Sequence, residues 1–393
     1  MKRHLLIIII SYIIILWSCV NKKQQNGNTL LGDGAVTFVL KDFPEKHGFD
    51  DDIYISGNFE GWSGGREQFK LQKDNNQYRI TIPEYKETLS FKFTQGNWDS
   101  VECALNGKPI ENRLYIFKDT DETVTVNIVN WNDTKHQNKP STASKNVQVF
   151  DEEFNIPQLN RKRKISVYLP PNYQTSNEHY PVLYIQDGQN VFDVKTSYSG
   201  EWEIDETLND IYSETGFGLI VVAIDHSGEK RLNEYSPWDH KKHGKGEGEA
   251  YVDFLVNTLK PEIDKAFRTK RESENTVIMG SSLGGLISHY AAFARPDVFG
   301  KAGVFSPSFW YAEDIFRFTK NKINPAKTSK IFFLAGNKEG ENMVENVTKM
   351  TNLLKDNGFP ETQIHSKIVS TGTHSESFWK GEFEDAIRWL FSI

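Results

Sequence analysis

The pentapeptide GSSLG at positions 280–284 has the clearest capacity for chemistry in this sequence, because it matches the G-x-S-x-G pattern of a nucleophile elbow. Residues 275–279 before it are typical of a short buried strand, and residues 285–292 after it are typical of a helix. A strand that turns abruptly into a helix strains one residue and projects its side chain clear of the sheet. Ser282 is therefore the predicted nucleophile.

A serine hydroxyl needs a general base, which an acidic residue must orient. His374 is the predicted base, because it lies in a late polar loop that precedes the last predicted helix, residues 382–391. Two other histidines follow the elbow. His289 falls two helical turns after the nucleophile and is predicted to be structural, and His365 lies in an alternating strand as a predicted surface position.

The orienting acid is predicted in the loop that follows the apolar strand at 330–335. Glu339 is the preferred residue. Glu341 is the alternative, although it could instead begin the next helix, where the helix dipole alone favours acidic residues.

A tetrahedral acyl intermediate needs two backbone N–H groups to stabilise its oxyanion. Leu283 supplies one of them, because it directly follows the predicted nucleophile. Gln189 is the candidate for the other, since it lies in the loop after the early predicted strand at 181–186.

Residues 147–393 resemble the putative-esterase family of α/β-hydrolases, which includes feruloyl and acetyl-xylan esterases, enterobactin-type siderophore esterases, S-formylglutathione hydrolases and mycolyltransferases. Beyond the elbow, the matching segments are ISVYLPP at 165–171, LYIQDG at 183–188, RPDVFG at 295–300, SPSFW at 306–310 and GTHSE at 372–376. The resemblance implies an α/β-hydrolase fold with a mostly parallel sheet and no cofactor. It assigns the roles of nucleophile, acid and base to Ser282, Glu339 and His374. It does not fix the substrate.

A long polar segment at 225–248 separates a predicted buried strand from the next helix, and loops of this length tend to build binding sites. Arg231 is the candidate substrate ligand in this loop. Trp310 and Trp379 each lie a few residues past a family motif and are further candidates for the substrate site. Plain packing is an equal alternative for each of these two tryptophans.

Residues 33–131 form a separate unit, predicted to be a small all-β sandwich. Its alternating runs, separated by turn residues, are 36–40, 53–56, 77–82, 89–93 and 123–128. The polar residues 132–146 are predicted to link this unit to the hydrolase domain at 147–393.

Segments 53–62 and 91–98 of this unit resemble starch- and glycogen-type carbohydrate-binding modules. The resemblance implies that Trp62 and Trp98 stack on sugar rings from an exposed platform, with Lys92 nearby. Stacking suits sugars because their apolar C–H faces can cover an aromatic ring. The alternative is that both tryptophans pack inside the sandwich and the domain only supports the enzyme.

Residues 1–19 are predicted to be a lipoprotein signal peptide, because a short basic start precedes an apolar run at 5–17 that is too short to cross a membrane. LWSC at 16–19 resembles a bacterial lipobox, which implies acylation of Cys19. Residues 20–32 would then be a polar tether, and the protein would be a lipid-anchored lipoprotein of the cell envelope. An ordinary signal peptide is the alternative.

Composition limits the remaining possibilities. A chain of 393 residues with 38% hydrophobic and 25% charged residues is globular and long enough for two domains. A net charge of −7 argues against nucleic acid as the target. The 10 histidines form no metal-spaced cluster and the 2 cysteines are too few for a thiolate zinc site, so no metal is expected.

The sequence thus predicts a serine carboxylesterase. Acyl groups on a carbohydrate, of the feruloyl or acetyl type, are the favoured substrates because a sugar-binding-like domain precedes the esterase. A siderophore ester is the alternative substrate. A non-catalytic glycan-binding lipoprotein is the alternative from another class, against which the intact set of Ser282, Glu339 and His374 argues.

Overall fold

The computed structural model describes residues 34–393 except 45–51, 75–76, 86–87, 106, 133–139, 198–199, 242 and 325–328. The predicted signal peptide, its Cys19 and the tether at 20–32 lie outside the described residues. Every helix in the described part of the chain is too short or too polar to span a bilayer.

The N-terminal unit is a small β domain. Its strands are β1 (Val36–Asp42), β2 (Tyr54–Gly57), β3 (Gln72–Asp74), β4 (Gln77–Ile82), β5 (Leu89–Thr94), β6 (Glu102–Cys103), β7 (Arg113–Tyr115), β8 (Glu122–Asn127) and β9 (Asn130–Trp131). One sheet has the order β3-β4-β1-β8 and another the order β2-β5-β7. Phe38 of the first sheet packs on Phe91 of the second, with ring centroids 4.6 Å apart. The two sheets therefore share one apolar core, as the alternating pattern predicts.

The second unit is built on one sheet of eight strands. These strands are β10 (Val147–Ile156), β11 (Arg161–Tyr168), β12 (Val182–Gln186), β13 (Ile220–Ile224), β14 (Thr276–Ser281), β15 (Lys301–Phe305), β16 (Lys330–Gly336) and β17 (Ile364–Val369). Their order is β10-β11-β13-β12-β14-β15-β16-β17. Strand β11 is antiparallel to both of its neighbours, and all pairs from β13 to β17 are parallel. This arrangement confirms the predicted mostly parallel α/β-hydrolase sheet.

Helices cover both faces of this sheet. They are α1 (Ile204–Thr215), α2 (Arg231–Glu234), α3 (Gly248–Phe254), α4 (Lys260–Ala266), α5 (Leu283–Ala294), α6 (Asp314–Lys322), α7 (Glu341–Asp356) and α8 (Glu376–Phe391). Alternate strand residues face two separate cores: Ile278 packs with α5 on one face, and Met279 packs with α1 and α8 on the other. Parallel strands buried on both faces explain the continuous apolar runs in the sequence.

The last helix begins earlier than predicted, at Glu376 rather than at residue 382. The buried Trp379 extends the apolar stripe of the helix, which continues through Phe383, Ile387 and Leu390. This spacing of three to four residues places all four side chains on one face, and burial of that face stabilises the additional turns.

The β domain lies against the edge of the sheet where the parallel strands end. Asn112 donates a hydrogen bond from Nδ2 to the backbone oxygen of His374 at 3.1 Å. Thr373 donates from Oγ1 to Oε2 of Glu111 at 3.0 Å. Two residues from each domain therefore join the β domain to the loop that carries His374.

Candidate active site

Ser282 occupies a strained turn between β14 and α5. Its backbone has φ 58° and ψ −124°, a conformation that non-glycine residues rarely adopt. A Cβ added to Gly280 would lie 2.7 Å from the backbone carbon of Gly284, so the turn is too tight for a side chain there. The Oγ atom of Ser282 lies 3.2 Å from Oγ of Ser308, and either hydroxyl can be the donor.

His374 and Glu339 form a direct pair. Nδ1 of His374 lies 2.7 Å from Oε2 of Glu339, whose side chain is fully buried. The other carboxylate oxygen, Oε1, accepts hydrogen bonds from Ser306 Oγ at 2.8 Å and from the Gly336 amide at 2.6 Å. Glu341, the alternative acid, is the first residue of α7. Since Nδ1 faces Glu339, Nε2 is the nitrogen of His374 that can accept a proton.

The two predicted oxyanion amides lie at the starts of helical turns. Leu283 is the first residue of α5, so its N–H precedes the hydrogen-bonded part of that helix. Gln189 lies in a short 3₁₀ turn at 188–190, whose hydrogen bonds begin with the Asn190 amide donating to Asp187 at 2.9 Å. The N–H of Gln189 is therefore not used by the turn.

The turn that carries Gln189 is braced by an ion pair. Asp187, which has a left-handed φ of 56°, accepts two hydrogen bonds from Arg231 at 2.7 and 2.8 Å. Burial lowers the pKa of Arg231, but the Asp187 carboxylate outweighs that effect and raises it overall. Arg231 thus lines the site as predicted from its loop, but its guanidinium is held by Asp187.

A cleft of about 540 Å³ contains Ser282, His374 and Gln189, and both domains contribute to its walls. The β domain supplies Trp62 and Trp98, whose ring centroids are 5.8 Å apart. Nε1 of Trp98 donates to the backbone oxygen of Trp62 at 2.9 Å, which holds the Trp98 ring against the turn that carries Trp62. The tryptophans therefore lie neither on a separate exposed platform nor in the core of the β domain.

Lys92 lines the same cleft but is only 5% exposed. Burial lowers its pKa, and the carboxylates of Glu376, Glu102 and Glu111 oppose that shift. Burial likewise raises the pKa of Glu376, which Lys92 partly offsets. An electrostatic interaction between Lys92 of the β domain and Glu376 of the hydrolase domain thus connects the two domains at the cleft.

The two remaining tryptophan candidates differ in position. Trp379 is 4% exposed, lines the cleft and donates from Nε1 to Ser306 Oγ at 2.8 Å. Trp310 does not line the cleft in the described part of the chain. Its short turn at 309–311 directs it against the main core, with its ring 5.9 Å from that of Tyr311. The structure therefore does not bring Trp310 to the site predicted for it.

Three carboxylates meet beside the cleft. Glu201, Asp205 and Glu206 bring oxygen atoms within 4.8 Å of one another. Burial, opposed by the Thr142 hydroxyl, raises the pKa of Glu201 to about 7, and burial and Asp205 raise that of Glu206 to about 8. Asp205 and Glu206 also occupy the first turn of α1, where the helix dipole stabilises acidic residues. Burial thus favours the protonated form of Glu201 and Glu206, whereas the α1 N-terminus favours the ionised form of Asp205 and Glu206.

Sequence reasoning assigned no role to Ser306, Ser308 or Asp187, although all three fall within quoted motif segments. Ser306 and Ser308 belong to the SPSFW segment, and each lies within hydrogen-bond distance of a predicted triad residue. The position of a polar residue directly after a strand of this sheet could have indicated a place in the site, because the carboxyl ends of parallel strands meet at one edge.

The fold and the site together define an α/β-hydrolase with a serine, a histidine and a glutamate at one cleft. The sequence profile of the family described as "Putative esterase" matches residues 156–390, which is more than half of the chain. The protein belongs to this family and is a carboxylic ester hydrolase.

Proteins similar to this chain include an uncharacterized protein and esterases named for different substrates. An uncharacterized Bacillus subtilis protein, YbbA, is 29% identical over 243 residues, covering 58% of this chain and 92% of that protein. An endo-1,4-beta-xylanase/feruloyl esterase of Xylanibacter ruminicola is 27% identical over 231 residues, covering 58% of this chain and 29% of that protein. The enterobactin esterase of Shigella flexneri is similar in structure, with a TM-score of 0.55, 14% identity and coverage of 94% of this chain and 95% of that chain.

Proposed function

We propose that the protein is a serine esterase that removes acyl groups of the feruloyl or acetyl type from a carbohydrate. The observation that carries this proposal is the shared cleft: Ser282 and the His374–Glu339 pair open into the space that Trp62 and Trp98 line. Aromatic rings beside a nucleophile suit a substrate with a sugar or phenolic ring next to its ester.

The proposed reaction follows the acyl-enzyme route. Oγ of Ser282 attacks the ester carbonyl while Nε2 of His374 takes its proton, and Glu339 stabilises the resulting imidazolium through Nδ1. The amides of Leu283 and Gln189 stabilise the oxyanion. The intermediate collapses, and the alcohol leaves with the proton from His374. Water activated by the same imidazole then cleaves the acyl-enzyme and releases the acid.

The charges of the cleft support a neutral substrate. Among the described residues, the lining contains the carboxyl groups of Glu111, Asp187, Glu201, Glu203 and Glu376 and the basic side chains of Lys92, Lys108, Arg231 and Lys380. Acidic and basic groups are therefore nearly balanced in number, so the cleft offers no strong net attraction for a polyanion. A neutral acylated sugar suits such a cleft better than a negatively charged ferric catecholate complex does.

A siderophore ester is the second candidate. It is supported by the likeness to the enterobactin esterase, which extends over both domains and 94% of this chain. The match to the protein named as a feruloyl esterase covers 58% of the chain.

Comparing substrates tests the choice directly. We expect kcat/KM for feruloylated or acetylated oligosaccharides to exceed that for enterobactin-type esters, iron-free or ferric, by about 10-fold or more. A reversed preference would favour the siderophore candidate. Ser282→Ala is the control in each assay, because hydrolysis that depends on the proposed nucleophile should be lost in this variant.

We further propose that the protein is lipid-anchored in the cell envelope through Cys19. The support is the basic and apolar start of the chain and the lipobox-like segment LWSC at 16–19. Cys19→Ser should move the protein from the membrane fraction to the soluble fraction, because this one residue would carry the acyl chains. A variant that still sediments with membranes after a salt wash would contradict the anchor.

A further inference from the structure

A single indole connects the acid and the base of the site. Nε1 of Trp379, on α8, lies 2.8 Å from Oγ of Ser306, and that oxygen lies 2.8 Å from Oε1 of Glu339. The Trp379 ring also meets the imidazole of His374 edge to face, with centroids 4.9 Å apart and planes at 87°.

The direction of these hydrogen bonds is fixed by chemistry. An indole N–H can only donate, so Ser306 Oγ must accept from Trp379. The hydroxyl proton of Ser306 is then directed at Glu339, and the carboxylate accepts it. Because Ser306 and the Gly336 amide both donate to Oε1, Oε2 remains for Nδ1 of His374.

Ser306 adopts an unfavourable backbone conformation to make this contact. Its φ is 41°, in the left-handed region, and its side chain is fully buried. A serine in this region costs conformational energy that a glycine would avoid, so its hydroxyl has a use that offsets the strain.

We infer that Trp379 and Ser306 are positioning residues, which hold the Glu339 carboxylate in the orientation that aligns His374. This inference rests on the proposed roles of Ser282, His374 and Glu339, and it reassigns Trp379 from a substrate ligand to a support of the triad. Neither residue takes part in bond making. Each acts by restricting the rotation of the carboxylate and the imidazole.

Three variants test the inference. Trp379→Phe keeps an aromatic ring but removes the N–H, Ser306→Ala removes the hydroxyl, and Ser306→Gly removes it while relieving the left-handed strain. Trp389→Phe is the matched control, because this indole lies on the same helix but packs against Phe332, with ring centroids 6.1 Å apart.

We expect kcat for p-nitrophenyl acetate to fall by about 10-fold in both Ser306 variants, the size expected for one hydrogen bond to a charged group, with KM nearly constant. Trp379→Phe loses a hydrogen bond between neutral groups, so its kcat should fall by about 3-fold. In the two Ser306 variants the acid limb of the pH–rate profile should move to higher pH, since a carboxylate with fewer donors leaves more negative charge facing the imidazolium. Ser306→Gly relieves the left-handed strain but leaves the Trp379 N–H without its acceptor, so it should be no more destabilised than Ser306→Ala and still slow. Trp389→Phe should match the wild type.

Wild-type kcat and an unchanged pH profile in folded Trp379→Phe and Ser306→Gly would overturn the inference. An equal loss in Trp389→Phe would also overturn it, because the effect would then belong to helix packing. If the proposed esterase function itself were wrong, Ser282→Ala would retain turnover, which is a different result from either of these.

Discussion

The two domains hold their parts of the cleft in different ways. The hydrolase domain places Ser282, Glu339 and His374 just after β14, β16 and β17, strands joined to their neighbours by parallel ladders. The β domain places Trp62 and Trp98 in turns outside its strands. The proposed chemistry thus depends on a rigid sheet edge, whereas the proposed substrate contacts depend on loops and on how two domains meet.

The turn that carries Trp62 is nevertheless well supported. The buried carboxylate of Glu60 accepts hydrogen bonds from the amides of Gly57 at 3.1 Å and Ser63 at 2.9 Å. A Cβ on Gly61 would lie 2.5 Å from the side chain of Leu232 in the hydrolase domain. Gly61 also has a left-handed φ of 85°, which favours glycine, so the loop packs directly against the hydrolase domain. Changes in the hydrolase domain should therefore affect kcat, and changes in the β domain should affect substrate binding.

Ser282→Ala should have the largest effect of any single substitution. Removal of the nucleophile should lower turnover of p-nitrophenyl acetate by about 10⁴- to 10⁶-fold, while binding and fold remain. Ser281→Ala is the matched control one residue earlier, at the end of β14. Normal turnover by Ser282→Ala together with an inactive Ser281→Ala would mean that the nucleophile is misassigned.

His374→Ala and Glu339→Gln should separate the base from its orienting acid. Loss of the base should cost about 10⁶-fold in kcat and loss of the carboxylate about 10⁴-fold, because a misoriented imidazole keeps some basicity. Glu341→Gln, at the first residue of α7, is the control and should retain full activity. If Glu341→Gln were impaired and Glu339→Gln were normal, the role of the acid would move to Glu341.

The fold could be predicted from sequence because its signals are local. Apolar runs of strand length, helical periodicity and the G-x-S-x-G pattern at 280–284 each lie within a few residues of one another. Local signals also narrowed the acid to two residues two positions apart. They could not separate Glu339 from Glu341, since the choice depends on which side chain reaches a histidine 35 residues away.

The position of the β domain could not be predicted, because its contacts are distant in sequence. Asn112 and His374 are 262 residues apart, and no periodicity in either segment indicates their contact. The two alternatives predicted for Trp62 and Trp98, an exposed platform and a buried core position, both treat the β domain as a separate body. In the structure the two rings instead line the catalytic cleft.

Trp62→Ala and Trp98→Ala test the contrast between the two domains. Both variants should weaken substrate binding more than they slow the chemical step. We expect kcat/KM for a feruloylated oligosaccharide to fall by about 10-fold, which corresponds to about 1.4 kcal/mol of lost contact. Turnover of p-nitrophenyl acetate should stay within about 2-fold of the wild type, because so small an ester does not reach both rings. Trp389→Ala, on α8 and outside the cleft lining, controls for loss of a half-buried indole. Equal losses on both substrates would show that the tryptophans support the site rather than bind the substrate.

Glu206→Gln should have the smallest effect, on stability and its pH dependence. Burial and Asp205 raise the pKa of Glu206 from 4.5 to about 8, so the folded state holds a proton that the unfolded chain releases. The contribution of Glu206 to the free energy of unfolding is therefore fully present below the pKa of the unfolded chain, 4.5. It is lost as the pH rises through the pKa of the folded state, about 8.

The wild type should accordingly lose stability between about pH 5 and pH 8, and Glu206→Gln should flatten that decline because its side chain stays neutral. The difference in Tm between the two proteins should reach about 2–4 °C at the upper end of this range. Asp210→Asn, an exposed position on the same helix, should leave the profile unchanged. A Glu206→Gln profile parallel to that of the wild type would mean that Glu206 is ionised in the folded protein, because the α1 N-terminus would then compensate its charge.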